Sequence, residues 1–170
     1  HVTRKLAERG HDVHVFVRAS SDTSALDSVP ITKHIGDLCD TDTLTSAMYR
    51  CSWVFHCIVD TRAWLYDPTP LYRTNVEGLI RVMDAALAAF DATITLANAN
   101  TFTTLPAWMN GPTYTNGQIA RLANTMAAWL LANWPRDATE NGTVNWAQVA
   151  TYASSGMSTG TPFDFVFTGD

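Results

Sequence analysis

Residues 6–18 read L-A-E-R-G-H-D-V-H-V-F-V-R, and this stretch decides the fold. Val2 and Leu6 lie four residues apart, and Gly10 follows them, which is typical of the end of a helix. Val13–Val17 is a short run of β-branched and aromatic residues, which predicts a strand buried on both faces. A helix that leads directly into a buried strand predicts an α/β fold.

The same alternation continues along the chain. Further strands are predicted over Ile31–Ile35 and Trp53–Val59, and a short helix from the Asp40 cap to Met48 separates them. A long amphipathic helix is predicted from Arg73 onwards, either unbroken to Asn98 or bent near residues 88–91. Because strands and helices alternate, we expect right-handed crossovers and a three-stranded parallel sheet.

Composition excludes several classes of protein. A hydrophobic share of 46% argues for a folded chain rather than a disordered one. The net charge is −5 and Lys and Arg form no cluster, which argues against a nucleic-acid partner. No apolar run approaches the roughly 20 residues that a membrane-spanning helix needs.

Four segments resemble the extended short-chain dehydrogenase/reductase family, and the sugar epimerases and dihydroflavonol-reductase-like enzymes are its most similar members. They are the opening stretch, G-D-L-C-D from Gly36, W-V-F-H-C-I-V from Trp53, and Y-R-T-N-V-E-G-L-I-R-V-M-D-A-A from Tyr72. Their order and spacing make the resemblance fairly specific. It implies a cytoplasmic, partial Rossmann-type unit over residues 1–87 with its first strand missing and NADP or NAD as cofactor.

The resemblance implies five cofactor-binding residues: Arg18, Asp37, Leu38, Cys57 and Asn75. Arg18 ends a strand where an acid would accept from the ribose 2′-hydroxyl, whereas an Arg suits a 2′-phosphate. This favours NADP, although a solvated surface Arg is equally compatible. Asp37 and Leu38 match the adenine-binding pair, in which the acid accepts from the exocyclic amine and the Leu packs on the ring. The alternative is that Asp37 only ends a strand.

The remaining matches are less specific. Cys57 and Ile58 stand where the family has two small residues near the cofactor, and their bulk opposes its close approach. Asn75 matches the T-N-V segment near the nicotinamide end, and the alternative is a residue that starts a helix. His56 is expected to be a strand residue, and no metal ligands are assigned.

Two motifs of the family are missing from the sequence. The glycine turn G-x-x-G-x-x-G, which lets the backbone approach the pyrophosphate, would stand before His1. None of the five Tyr has a Lys four positions on, and no Lys follows Lys33. A catalytic Tyr needs a nearby cation to lower its pKa. We therefore assign no catalytic residue and predict an inactive fragment of an NADP-dependent reductase or epimerase that binds its cofactor weakly or not at all.

Residues 88–170 have a different composition. All five His, all three Cys and both Lys precede residue 58, whereas four of the six Trp follow Leu87. Helices are predicted over 116–134 and 146–155, and 159–170 is predicted to be extended. The first of these helices is expected to bury one stripe, which contains Ile119, Leu122, Ala123, Met126 and Leu130. Trp129, Trp134 and Trp146 are expected to be core residues rather than sugar-stacking ones.

This second part resembles the SusD/RagB-like outer-membrane glycan-binding lipoproteins. The matching runs are N-G-Q-I-A-R-L-A-N-T-M-A-A-W-L-L-A-N-W-P-R-D from Asn116 and V-N-W-A-Q-V-A-T-Y-A-S-S-G from Val144. The resemblance implies tetratricopeptide-like helical hairpins on the periplasmic side of the outer membrane, with a glycan or a TonB-dependent transporter as partner.

The two resemblances together predict a chimeric fragment with a junction near residues 87–91. The two families belong to different compartments, so no location is assigned to the whole chain. One alternative is a single divergent domain whose composition is uneven by chance, which would place a strand over 93–97. Another is a compact α/β plus α body in which neither part is functional.

Overall fold

The computed structural model describes residues 1–51, 53–109, 111–135 and 137–160. The chain divides into two compact units, His1–Ala86 and Leu87–Asp170. The predicted division into functional domains 1–87 and 88–170 stays a proposal. The extended segment predicted over 159–170 lies almost wholly outside the described residues.

The first unit begins with the predicted helix and strand. Helix α1 spans Val2–Glu8, and strand β1 spans His14–Val17. Between them Gly10 adopts a φ of +81°, in the left-handed region that glycine enters without strain. A 3₁₀ turn over Ser24–Leu26 precedes strand β2, which spans Thr32–Ile35.

The two strands form a parallel pair, with His14 opposite Thr32 and Val17 opposite Ile35, so the predicted parallel orientation is confirmed. The β1 residues are half-buried. The prediction of burial on both faces is therefore wrong. Such burial needs helices packed on each face, and among the described residues α2 is the helix with several contacts to the sheet.

Helix α2, Thr41–Met48, packs on the sheet and begins at the predicted Asp40 cap, whose Oδ1 accepts the Thr43 N–H at 3.1 Å. Leu44 and Ala47 of α2 are buried. A Cβ on Gly36 would lie 2.6 Å from Thr43 Cγ2, so this close approach of helix and strand end requires glycine.

The predicted third strand is wrong. Residues 53–59 form no strand, and their apolar side chains are exposed, from 39% for Ile58 to 66% for Val59. In the expected strand order this segment pairs with a strand that lies between it and β1. No such strand occurs among the described residues. Without a neighbouring strand, the backbone of residues 53–59 gains no ladder hydrogen bonds, and β propensity alone does not make a strand.

The long helix is confirmed. It begins as α3 at Thr69–Tyr72, passes through a π-helical turn over Arg73–Glu77, and continues as α4 over Gly78–Ala99. Residues 93–97 are therefore helical rather than a strand. The hydroxyls of Thr93 and Thr95 donate to carbonyls four residues earlier, at 2.8 and 2.9 Å, which satisfies these β-branched residues inside the helix.

The second unit is helical beyond α4. Helix α5 spans Asn116–Asn133 and starts at a capping box in which Thr115 Oγ1 accepts the Gln118 N–H. Helix α6 spans Ala138–Thr143, and helix α7 spans Trp146–Ser155. The helices predicted over 116–134 and 146–155 are thus confirmed, whereas a tetratricopeptide arrangement is not.

The buried face of α5 shares only Ala123 with the predicted stripe, of which Ile119, Leu122 and Leu130 are half-buried. It carries small residues that let α7 approach closely: Ala120, Ala123, Asn124, Ala127 and Ala128. Met126 is 41% exposed and Trp129 is 64% exposed. The core assignment is also wrong for Trp146, which is 47% exposed. Close helix contact favours alanine over bulky side chains, which therefore lie outside the contact.

Candidate functional site

The carboxyl ends of β1 and β2 bring two predicted site residues together. Arg18 directly follows β1, Asp37 lies two residues beyond β2, and both are exposed. The Oδ1 atom of Asp37 accepts the Cys39 N–H at 2.9 Å. This backbone hydrogen bond lowers the pKa of Asp37, and the positive charges of Arg73 and Arg18 lower it further. An acceptor and a cation thus share the sheet end at which open α/β sheets bind ligands.

Asn75 holds the neighbouring chain segment in place. It lies in the π-helical turn, where its Oδ1 accepts the Asp60 N–H at 2.7 Å and its Nδ2 donates to the Asp60 carbonyl at 2.8 Å. The side chain therefore satisfies both backbone groups of Asp60, as a strand partner would. The structure gives this predicted site residue a positioning role.

Asp60 forms the strongest ion pair at this end of the unit. Its side chain is 8% exposed, and its Oδ1 and Oδ2 accept from Arg62 Nε at 2.9 Å and Arg62 Nη2 at 2.6 Å. The hydrogen bond from the Arg62 side chain, followed by that from its backbone, lowers the pKa of Asp60 to about 2. The charge of Arg18 contributes in the same direction. Arg18 therefore lies within electrostatic reach of both Asp37 and Asp60.

Leu38 and Cys57 are placed differently from the other three. A Cβ on Gly78 would lie 2.8 Å from Leu38 Cδ1, so the half-buried Leu38 already packs on the start of α4. Cys57 is exposed, and among the described residues it forms no hydrogen bond or ion pair with the other predicted residues. The cofactor-binding roles of all five residues stay predictions.

The sequence interpretation missed three residues of this cluster: Asp60, Arg62 and Arg73. Arg73 Nε donates to Cys39 Sγ at 3.5 Å, which brings its charge near Asp37. The available signal was an acid and a base two positions apart, D-T-R, directly after an apolar run that ends at Val59. Polar residues in that position are typical of ligand-binding ends of strands.

Two further features bear on function. Within residues 1–51, 53–109, 111–135 and 137–160, no group of three or more His, Cys, Asp or Glu side chains is placed to hold a metal ion. Over the same described ranges, we find no helix with the length and apolar character needed to cross a membrane.

Comparison with known proteins identifies the family. The model of the NAD dependent epimerase/dehydratase family matches residues 1–134. The chain belongs to this family. Membership implies a nucleotide cofactor, and the match extends through α5, well beyond the predicted junction near residues 87–91. Nothing in the comparisons supports a SusD/RagB-like second part or a chimera.

Two relatives of this epimerase/dehydratase-family chain share about two fifths of their residues with it over the matched half. The putative dihydroflavonol 4-reductase of Synechocystis sp. (strain ATCC 27184 / PCC 6803 / Kazusa) is 38% identical over 88 residues, which are 52% of this chain and 25% of that protein. The crystal structure of gox2253 is 41% identical, with a TM-score of 0.47, over 52% of this chain and 27% of the other. The chain thus spans about a quarter of the length of each relative.

Proposed function

We propose that this chain contributes the adenosine-binding part of an NADP-dependent reductase of the dihydroflavonol-4-reductase type. The observation that carries the proposal is the juxtaposition of Arg18 and Asp37 at the ends of two paired parallel strands. When bound, the cofactor supplies or accepts a hydride, and the residues described here bind and orient its other end.

Arg18 suits the 2′-phosphate. Its side chain is exposed and forms no hydrogen bond or ion pair with the described residues, so its planar guanidinium is available for two parallel hydrogen bonds to a phosphate. The nearby carboxylates of Asp37 and Asp60 orient the guanidinium electrostatically. A ribose 2′-hydroxyl would gain less from this cation, which favours NADP over NAD.

Asp37 and Leu38 suit the adenine. Asp37 Oδ1 accepts the Cys39 N–H, and the side chain is exposed, so the carboxylate is able to accept from the exocyclic amine as well. The lowered pKa keeps this carboxylate ionised at neutral pH. In this proposal Leu38 gives up part of its contact with Gly78 and packs on the adenine ring instead. Asn75 holds the Asp60 segment beside Arg18. The bulk of Cys57 limits how closely the cofactor approaches residues 53–59.

We further propose that residues 1–170 do not catalyse hydride transfer by themselves. The sequence holds no Tyr-x-x-x-Lys to move a proton and no G-x-x-G-x-x-G to bring backbone N–H groups to the pyrophosphate. We accordingly expect NADP to bind no more tightly than a dissociation constant of about 1 mM, which is about −4 kcal/mol.

Nuclear magnetic resonance titrations with NADP and with NAD test this proposal. We expect tighter binding of NADP, with shifts centred on the backbone amides of Arg18, Asp37 and Leu38. The Arg18→Gln variant should lose about tenfold or more in NADP affinity and keep its NAD affinity, because charged hydrogen bonds contribute about 1.5–3 kcal/mol. The matched control Arg9→Gln removes an exposed Arg of α1's C-terminal end and should change neither.

Each outcome decides a different part of the proposal. Equal affinity for NADP and NAD in the unmodified chain, or an unchanged NADP affinity in Arg18→Gln, would refute the role of Arg18. A micromolar dissociation constant would instead show that another loop binds the pyrophosphate, and the weak-binding expectation would be wrong.

A second candidate function is glycan binding by the helical part. The observation that favours it is the exposure of Trp129 (64%) and Trp146 (47%), whose indole rings are able to stack on sugar faces. Tryptophan fluorescence titrated with oligosaccharides tests this candidate. No change in fluorescence at millimolar sugar, or an equal change when Trp129 and Trp146 are both replaced by alanine, would exclude it.

A further inference from the structure

Two histidines meet on one face of the sheet, away from the proposed cofactor site at its end. His14 lies in β1 and His34 in β2, where His34 stands opposite Phe16 and so diagonally across from His14. The Nδ1 atom of His14 lies 2.9 Å from Nε2 of His34. The rings stack with their centroids 5.0 Å apart and an angle of 23° between their planes.

This contact needs complementary nitrogens in the two rings. A hydrogen bond between two imidazoles joins a nitrogen that donates to one that accepts, so the accepting nitrogen offers a lone pair. The Oδ2 atom of Asp12 lies 3.6 Å from Nε2 of His14, which places a carboxylate beside the outer nitrogen of that ring. A proton on Nε2, facing Asp12, leaves the Nδ1 lone pair directed towards His34.

We propose that His14 and His34 form a binding site for a divalent transition-metal ion of the Ni²⁺ or Cu²⁺ kind. Imidazole nitrogens bind such ions at about 2.0–2.1 Å, and two ligands at right angles on that radius lie roughly 2.9 Å apart. The observed separation of the two nitrogens is 2.9 Å. It matches adjacent corners of the tetragonal geometry that these ions prefer.

The protons balance without an added reagent. The proton between the rings leaves Nε2 of His34 for water, and water returns one proton to Nδ1 of the same ring. The ion then occupies the vacated position, and each ring donates one lone pair to it. His14 keeps its proton on Nε2 towards Asp12, and His34 carries its proton on Nδ1. A carboxylate that accepts from the far nitrogen of a metal-binding imidazole orients the ring and increases its basicity. Asp12 Oδ2 lies 3.6 Å from His14 Nε2 and takes this role by moving slightly closer.

The surroundings allow an ion to enter. The His14 side chain is 26% exposed and Asp12 is 88% exposed, so water reaches the pair and completes the coordination. Because the described residues provide no third side-chain ligand, the site relies on two imidazoles. Its affinity therefore depends strongly on each of them.

Calorimetric titration of the full chain with Ni²⁺ in a non-chelating buffer tests the proposal. We expect one ion per chain, a loss of at least about tenfold in affinity for His14→Gln and for His34→Gln, and a loss of up to about tenfold for Asp12→Asn. The matched controls His56→Gln and His1→Gln remove imidazoles that are outside the pair and should leave the affinity unchanged.

A second measurement keeps the test independent of variant folding. In the unmodified chain, stoichiometric Ni²⁺ should broaden the ring resonances of His14 and His34 before those of the other three histidines. The proposal is overturned if His34→Gln binds Ni²⁺ as tightly as the unmodified chain, if His1→Gln abolishes binding, or if the ring resonances of the pair do not respond.

Discussion

Replacing Asn75 by alanine should release the segment that holds Asp60 beside Arg18. The side chain of Asn75 makes two hydrogen bonds to the Asp60 backbone, at 2.7 and 2.8 Å, and both are partly buried. Each contributes a net 0.5–1.5 kcal/mol or so. The Asn75→Ala change should therefore raise the free energy of the closed segment by about 1–3 kcal/mol.

Amide hydrogen exchange measures this effect directly. A loss of about 1–3 kcal/mol corresponds to exchange of the Asp60 amide that is roughly 5- to 150-fold faster. Amides of α5 should not change. Asn133→Ala is the matched control, because it removes one exposed hydrogen bond, from Asn133 Nδ2 to the Trp129 carbonyl at 2.8 Å, and should change stability by no more than about 0.5 kcal/mol.

Either of two results would refute the reasoning. If Asp60 exchange changes by less than about twofold in Asn75→Ala, the two hydrogen bonds do not hold the segment. If the control accelerates exchange equally, the effect belongs to asparagine substitution in general and not to the contact with Asp60.

Three further changes have defined outcomes. Gly156→Ala should destabilise the contact between α5 and α7 by about 1–3 kcal/mol in urea unfolding, because its Cβ would lie 2.6 Å from Thr125 Oγ1; an unchanged midpoint would mean that the helices shift freely. Arg62→Gln should raise the pKa of Asp60 from about 2 towards its ordinary 3.8, measured by the carboxyl ¹³C shift. Because the pKa of Asp60 is lowered in the folded chain, the ion pair stabilises the folded chain above about pH 4, and this contribution is lost as the pH falls towards 2. An Arg62→Gln variant whose Asp60 still titrates near 2 would contradict the assignment. Asp40→Ala should cost about 1 kcal/mol through loss of the α2 cap, and unchanged thermal unfolding would argue against that cap.

The candidate site shows which placements sequence reasoning can anticipate. Arg18 and Asp37 were identified because each directly follows or lies close to the end of a strand whose local pattern is strong, and parallel strands end at one edge of a sheet. Asp60 and Arg62 were missed because they lie just beyond the predicted strand, and their roles come from contacts with each other and with Asn75. The role of Asn75 was also not predictable, since its two hydrogen bonds join residues 15 apart in sequence.

The sequence by itself determined the elements whose signals are local. Residues 14–17 and 32–35 became strands, the chain from residue 69 to 99 became helical, and Thr115 and Asn145 capped the helices that they precede. Propensity, apolar spacing and capping act within a few residues, so they can be interpreted without knowledge of the rest of the chain.

Tertiary structure alone decided the features that need a distant partner. Residues 53–59 have the composition of a strand, but a strand requires a neighbour to pair with, and the described chain provides none beside them. Likewise α5 buried its alanine face more fully than larger side chains of the predicted stripe such as Leu122 and Met126, because the close approach of α7 selects small side chains over bulky ones. Burial and pairing are properties of two surfaces, and one stretch of sequence specifies only one of them.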